Sequence, residues 1–207
     1  MKKILLILIA VSTMAACSKS KEDKLNTIYE LQKSEAMGTT EGLAQLASLH
    51  KIYGMSYSDA EGNNFLYAAA QYYFYENKFD EAKPLLAEYI VRDDSTERFR
   101  NAAINLAVLL ADQADFSSAN DLISAVLKKD LPTSAQWHDI IKLYENKILA
   151  QADVIPNDHE KLSLAYTAVG RFSEATATLQ TAIDDFPAYE KRANLIYRAG
   201  FVCWEYA

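Results

Sequence analysis

Residues 68–82 read Ala68-Ala69-Ala70-Gln71-Tyr72-Tyr73-Phe74-Tyr75-Glu76-Asn77-Lys78-Phe79-Asp80-Glu81-Ala82. Four aromatics in five residues follow three alanines, and two readings compete. The rings either line a surface that holds a ligand or pack one helix against another. The test is whether the stretch recurs with its spacing kept. It does: ENKFDEAKPLLAEYI, ADQADFSSANDLISAVL and VGRFSEATATLQTAI each put an aromatic (Phe79, Phe116, Phe172) just ahead of a residue able to cap a helix (Asp80, Ser117, Ser173). Two places on stands alanine (Ala82, Ala119, Ala175), and four beyond it a branched apolar residue (Leu86, Ile123, Leu179). Alanine lets two helices approach closely, and a residue four on shares its face. The aromatic then plugs the corner between one helix and the next, so Phe79 and Tyr73 are expected in the core. Pro84 falls in the first turn of its helix, where a missing N–H costs least.

Working outward, apolar residues keep helical spacing almost everywhere past residue 23, and no convincing alternating strand occurs. Leu25, Ile28 and Leu31 make one stripe; Leu43, Leu46, Leu49 and Tyr53 make the next. Met37-Gly38-Thr39-Thr40 between them reads as a turn with Thr39 or Thr40 as N-cap. Gly54 to Asn64, GMSYSDAEGNN, reads as a loop from its Gly, Ser and Asn content. The corner aromatics are spaced by 37 and then 56 residues. The longer interval holds an extra helix, Ser134 to Gln151, with Trp137, Ile140, Ile141, Tyr144 and Ile148 on one face, and then a loop over residues 154–158. A last stripe, Leu195, Ala199, Val202 and Tyr206, reads as the first helix of a pair with no second. Either it folds onto the preceding pair as a cap or it belongs to a longer architecture.

These residues resemble the tetratricopeptide repeat, a helix-turn-helix unit of 34 residues. Leu66, Ala69-Ala70, Tyr73, Ala82, Leu86 and Tyr89 fill the family's places in one unit. Leu162-Ser163, Tyr166, Ala175, Leu179, Ala182 and Pro187 fill them in another. Alanine or serine stands where the family has glycine, and no tryptophan opens a unit. The resemblance implies an all-α, right-handed solenoid of antiparallel helix pairs over residues 24–207. It also implies a groove lined from the first helix of each unit: Asn64, Tyr67, Gln71, Phe74 and Tyr75 here. Three aromatics and two amides suit an extended or helical peptide; the competing reading is that Tyr67, Phe74 and Tyr75 pack against a neighbouring helix. The matching places of the next unit, Asn101, Ile104, Val108, Ala111 and Asp112, carry no basic pair, which argues against a clamp for a carboxylate terminus.

The first residues, MKKILLILIAVSTMAAC, run from two lysines through the apolar stretch Ile4–Val11 to small residues ahead of Cys17. That order is the order of a secretory signal, and the apolar run is far short of the roughly 20 residues that span a bilayer. Met14-Ala15-Ala16-Cys17 resembles the lipobox of bacterial lipoproteins, which implies a signal peptide over 1–16 and lipid on Cys17; the alternative is an ordinary signal peptide with a chance cysteine. Residues 17–23 then form a charged tether. Ser18 resembles lipoproteins routed to the outer membrane, and Lys21-Glu22-Asp23 reads either as a surface-routing tag or as solvated linker; the periplasmic side is the expectation. With Cys17 lipidated, Cys203 is left alone and expected in a helix as a small buried residue.

The chain of 207 residues is half hydrophobic and carries a formal charge of −7, becoming −9 without residues 1–16. An acidic chain with no basic run is a poor match for nucleic acid or anionic headgroups. His50, His138 and His159 hold no metal-ligand spacing and read as surface or packing residues. No phosphate-cradling glycine loop, nucleophile elbow or Cys–His signature occurs. The expected role is a non-enzymatic scaffold, without metal or small-molecule cofactor, binding a protein or peptide at the cell envelope. The alternative is a permanent subunit of an outer-membrane assembly or secretion complex.

Overall fold

The computed structural model describes residues 20–92, 97–129 and 131–206, apart from the side chain of Tyr206. The expected signal peptide, Cys17 and the start of the expected tether lie outside the described residues. Among those described there are ten α-helices, one short 3-10 turn and no strand, so the fold is all-α. The chain forms two compact units that divide between Asp93 and Asp94.

The first unit holds α1 (Lys21–Lys33), a 3-10 turn (Glu35–Gly38), α2 (Thr40–Ser56), α3 (Ala60–Tyr75) and α4 (Phe79–Arg92), each helix packed on the next. Short polar side chains set the starts. Ser20 and Asp23 form a reciprocal capping box at α1. Thr39 accepts the Gly42 N–H at 3.0 Å, and Asp59 accepts that of Gly62 at 2.9 Å. The loop expected over Gly54–Asn64 is shorter than its composition suggests: α2 runs to Ser56, α3 starts at Ala60, and Tyr57–Asp59 alone connect them. Gly54 is there for close approach rather than for a turn. A Cβ on it would lie 2.6 Å from the Leu66 amide nitrogen, inside the α2–α3 contact. The buried stripe of α2 is also rotated from the leucine stripe, running through Gly42, Ala47, His50, Tyr53 and Gly54 while Leu43 is exposed. At Gly54 the two helices are too close for any side chain, while His50 and Tyr53 fill the space on either side of that contact. At the far end, Arg92 donates to the Gly54 carbonyl at 2.6 Å, the Tyr57 carbonyl at 3.1 Å and the Glu88 carboxylate at 2.8 Å. It ties the last turn of α4 to carbonyls freed where α2 ends.

The second unit holds α5 (Glu97–Asp112), α6 (Phe116–Lys129), α7 (Ser134–Leu149), α8 (Pro156–Ala168), α9 (Phe172–Asp185) and α10 (Arg192–Tyr206). Contacts join α5 with α6, α5 with α7, α7 with α8, α8 with α9 and α9 with α10. The inserted helix is present, with Trp137, Ile140, Ile141 and Tyr144 buried. The loop expected over 154–158 gives way to helix at Pro156, which takes the first helical position where its fixed φ helps. Leu195 and Ala199 join Leu179, Ala182 and Ile183 in one core, and Val202 is buried as well. Cys203, expected buried, is exposed at the edge of that stripe, its thiol 3.6 Å from the Thr176 hydroxyl.

The three sequence corners share one backbone. Asn77, Ala114 and Gly170 have φ of 56°, 61° and 78°, each two residues before the aromatic. Their N–H groups donate to the carbonyls of Phe74, Ala111 and Thr167. The next N–H groups, of Lys78, Asp115 and Arg171, reach back to Tyr73, Leu110 and Tyr166 at 2.8, 2.9 and 2.8 Å. This is a Schellman termination at each corner. The following helix then starts two residues earlier than expected, because the carbonyls of Lys78, Asp115 and Arg171 accept its first bonds, from Ala82, Ala119 and Ala175. Asp80, Ser117 and Ser173 therefore lie inside the first turn, and it is Asp115 whose carboxylate accepts the Ser118 N–H at 3.2 Å. The aromatics also part company. Phe116 is buried, Phe172 half-buried, and Phe79 exposed at 38%, leaning on the Phe74 ring at 5.9 Å. Tyr73 is half-buried. Of the three left-handed residues, alanine is the costly one, since a Cβ there meets the following carbonyl oxygen. Ala114→Gly is expected to stabilise the chain by about 1 kcal/mol and Gly170→Ala to cost a similar amount, read from urea midpoints at constant m-value.

Candidate functional site

The five residues expected to line a groove share one strip of α3, as their spacing at 100° per residue requires. Asn64 is exposed, Tyr67 and Gln71 are half-buried, Phe74 is half-buried and Tyr75 is 74% exposed. Packing has claimed part of the strip. The Tyr67 ring lies 5.1 Å from that of Tyr89, a buried residue of α4. The Phe74 ring sits between Tyr75 at 5.8 Å and Phe79 at 5.9 Å. These are edge-on and tilted contacts, which suit ring quadrupoles and hold side chains in one orientation. The result is a ladder, Phe79–Phe74–Tyr75, whose last rung is open to solvent. Along the strip, Tyr67 packs on the next helix, while Tyr75 is left open to solvent.

A second polar feature escaped the sequence. In the second unit α6, α7 and α8 meet around Lys147 and Asp158, both buried and joined by a 2.8 Å ion pair. The same Asp158 oxygen accepts the Ile155 N–H at 2.8 Å, so one carboxylate caps α8 and neutralises a lysine of α7. Beside it Lys161 donates to Asn120 at 2.6 Å and Ser124 at 2.7 Å, and the Tyr144 hydroxyl donates to Asn120 at 2.9 Å. Burial pulls the Lys161 ammonium below its ordinary value, against the opposing pull of Asp158. Burial, and then Asp158, push the Tyr144 phenol up. The arrangement fixes three helices in register. In sequence, the pair is two ordinary charges on either side of a connection. Removing one partner strands the other in a low-dielectric site. Lys147→Met is accordingly expected to cost about 3–5 kcal/mol, measured by chemical denaturation.

Two of the histidines are packing residues. His50 stacks on Phe65 at 4.6 Å and 17°, its Nε2 buried without a partner, and burial brings its pKa down to about 4. His159 is buried against Phe186 and lowered for the same reason, with Asp158 and Asp185 opposing. His138 is exposed, its Nδ1 2.8 Å from the Ser134 carbonyl. Among the described residues no group of three or more His, Cys, Asp or Glu side chains could hold a metal ion, and no helix is long and apolar enough to cross a membrane. Because the unfolded chain protonates His50 near pH 6.5 and the folded chain only near 4, its contribution is complete above pH 6.5. It is lost as pH falls toward 4. The loss amounts to about 3 kcal/mol for this residue. His50→Phe is expected to flatten the stability–pH curve in that window, with His159 leaving a smaller residual slope.

No family model, no curated protein and no solved structure matches the chain.

Proposed function

We propose that this chain is a non-enzymatic scaffold of the bacterial cell envelope that binds a protein or peptide partner along the strip of α3 that ends at Tyr75. Its helix pairs stack as a right-handed, tetratricopeptide-like solenoid, and lipid on Cys17 holds it at the outer membrane, on the periplasmic side. The observation that carries the reading is the ladder at the end of α3. An aromatic 74% exposed, its ring set edge-on against Phe74, which is in turn backed by Phe79, offers contact area with less orientational freedom left to lose. The repeated corner supports the solenoid, since equal turns carry each first helix into its second in the same way. The acidic charge supports a protein partner rather than nucleic acid.

The reading separates residues that packing uses from residues it does not. Tyr75→Ala is expected to change stability by less than about 0.5 kcal/mol while removing partner capture. Tyr67→Ala is expected to cost about 2 kcal/mol through the lost contact with Tyr89. A photoreactive phenylalanine at position 75 in intact cells, read by mass spectrometry of the crosslinked band, identifies the partner. No specific crosslink from that position, or a melting loss for Tyr75→Ala as large as that for Tyr67→Ala, overturns the proposal. Labelled palmitate retained in Cys17→Ala removes the anchor.

A further inference from the structure

Helix α10 buries Leu195, Ala199 and Val202 and leaves its other side open. At 100° per residue, Ala193, Ile196, Tyr197, Gly200, Phe201 and Trp204 share one arc of about 140°. All six are exposed, with Ile196 at 49%, Tyr197 at 73%, Phe201 at 45% and Trp204 at 80%, and no charged residue falls among them. The flanking cations lie outside the arc and are engaged: Arg192 donates to the Ile183 carbonyl at 3.1 Å and Arg198 to Glu160 at 2.8 Å. A helix with a second apolar face beside its buried stripe is one that proteins ordinarily cover.

The chain's own pairs indicate the cover. Counting back seven from the left-handed corner residues 77, 114 and 170 reaches Ala70, Ala107 and Ser163, all small and buried. Three places further on stand Tyr73, Leu110 and Tyr166, whose carbonyls anchor the corners. In α10 the run Ala199-Gly200-x-x-Cys203 repeats Ala69-Ala70-x-x-Tyr73, Leu106-Ala107-x-x-Leu110 and Leu162-Ser163-x-x-Tyr166. The first residue is buried in all four runs. The small residue differs: it is buried in α3, α5 and α8, each packed by the helix that follows, whereas a Cβ on Gly200 would meet nothing within 4 Å. The helices that follow the other three, α4, α6 and α9, bring fully buried Ala82, Ala119 and Ala175, with Leu86, Ile123 and Leu179 one turn on.

We propose that the face of α10 centred on Gly200 is a docking surface for one amphipathic α-helix of a partner protein, carrying a small residue early in its apolar stripe and a branched aliphatic residue four places later. The exposed parts of the four large side chains come to about 600 Å² on this side, hence about 1,200 Å² in total. That is the lower end for a specific interface and the size of a single helix rather than a domain. A second copy of α10 is the poorer occupant, because it would set Tyr197 and Trp204 against the same bulky rings instead of offering a small-residue stripe. This surface shares no residue with the α3 strip, and neither proposal depends on the other.

The probe is the acetylated peptide FSSANDLISAVLKK, the sequence of α6 with its alanine and isoleucine four apart. It is titrated into the full chain while tryptophan emission is followed. Trp137 is 5% exposed and already dry, so a blue shift reports Trp204. The expected result is a saturable blue shift. Gly200→Leu, which the open space around Gly200 lets fold with no loss of melting, should weaken binding at least ~10-fold, and Tyr75→Ala should leave it unaltered. No shift up to millimolar peptide, an equal shift in Gly200→Leu, or sedimentation showing that the chain dimerises through this face until Gly200→Leu restores the monomer would each overturn it. Loss of capture at Tyr75 with the peptide still bound removes the α3 reading alone.

Discussion

The 6→1 hydrogen bond that closes each corner is the constraint on which the helix pairs rest. It commits one residue to the left-handed region and fixes where the next helix begins. The next helix therefore enters with its alanine already turned toward the first. Packing then follows from a small residue meeting a small residue, at Ala70, Ala107 and Ser163 on one side and Ala82, Ala119 and Ala175 on the other, all buried. Asparagine, alanine and glycine fill the left-handed place in turn. Their steric costs differ, yet the geometry is kept, so tertiary contacts determine the corner more than local preference does.

Where the corner spacing lengthens, charge takes over from apolar patterning. Asp158 does two things at the α7–α8 connection, capping one helix and pairing with a lysine of the other, and Asn120 gathers donors from Tyr144 and Lys161. Hydrophobic contacts tolerate sliding by a fraction of a turn; a buried ion pair with a backbone bond on the same oxygen does not. The inserted helix is thus held by directional bonds on the side where the repeat pattern has nothing to offer.

Much of the architecture was legible from residues. Helix pairs, the three corners, the Thr39 cap and the inserted helix follow from spacing and from turn chemistry. What misled was composition read without packing. Gly54 and Gly62 look like loop residues, yet both sit inside helices where a Cβ would strike backbone. Pro156 looks like a breaker and is a starter. Phe79 shares its motif with Phe116, but burial depends on what lies beyond the corner, which no local motif encodes. In the candidate site, the five residues came from the resemblance to the repeat family, and helix geometry puts them on one strip. It could not say that Tyr89 would occupy one face of Tyr67. The Lys147–Asp158 pair left no trace because its meaning is purely spatial.

Among the described residues most helix packing joins sequence neighbours; the packing of α5 on α7 across α6 does not, nor do the side-chain bonds that α6 and α10 make to α8. Chains built from such local contacts collapse quickly, on microsecond to millisecond timescales, because little loop entropy must be surrendered before contacts reward it. The α5–α7 contact is different: it requires α6 to be in place and the connection after it to close. It links the early hairpin with the helices that follow, so the second unit should gain its cooperativity at that step, with single hairpins forming and dissolving freely until it is reached.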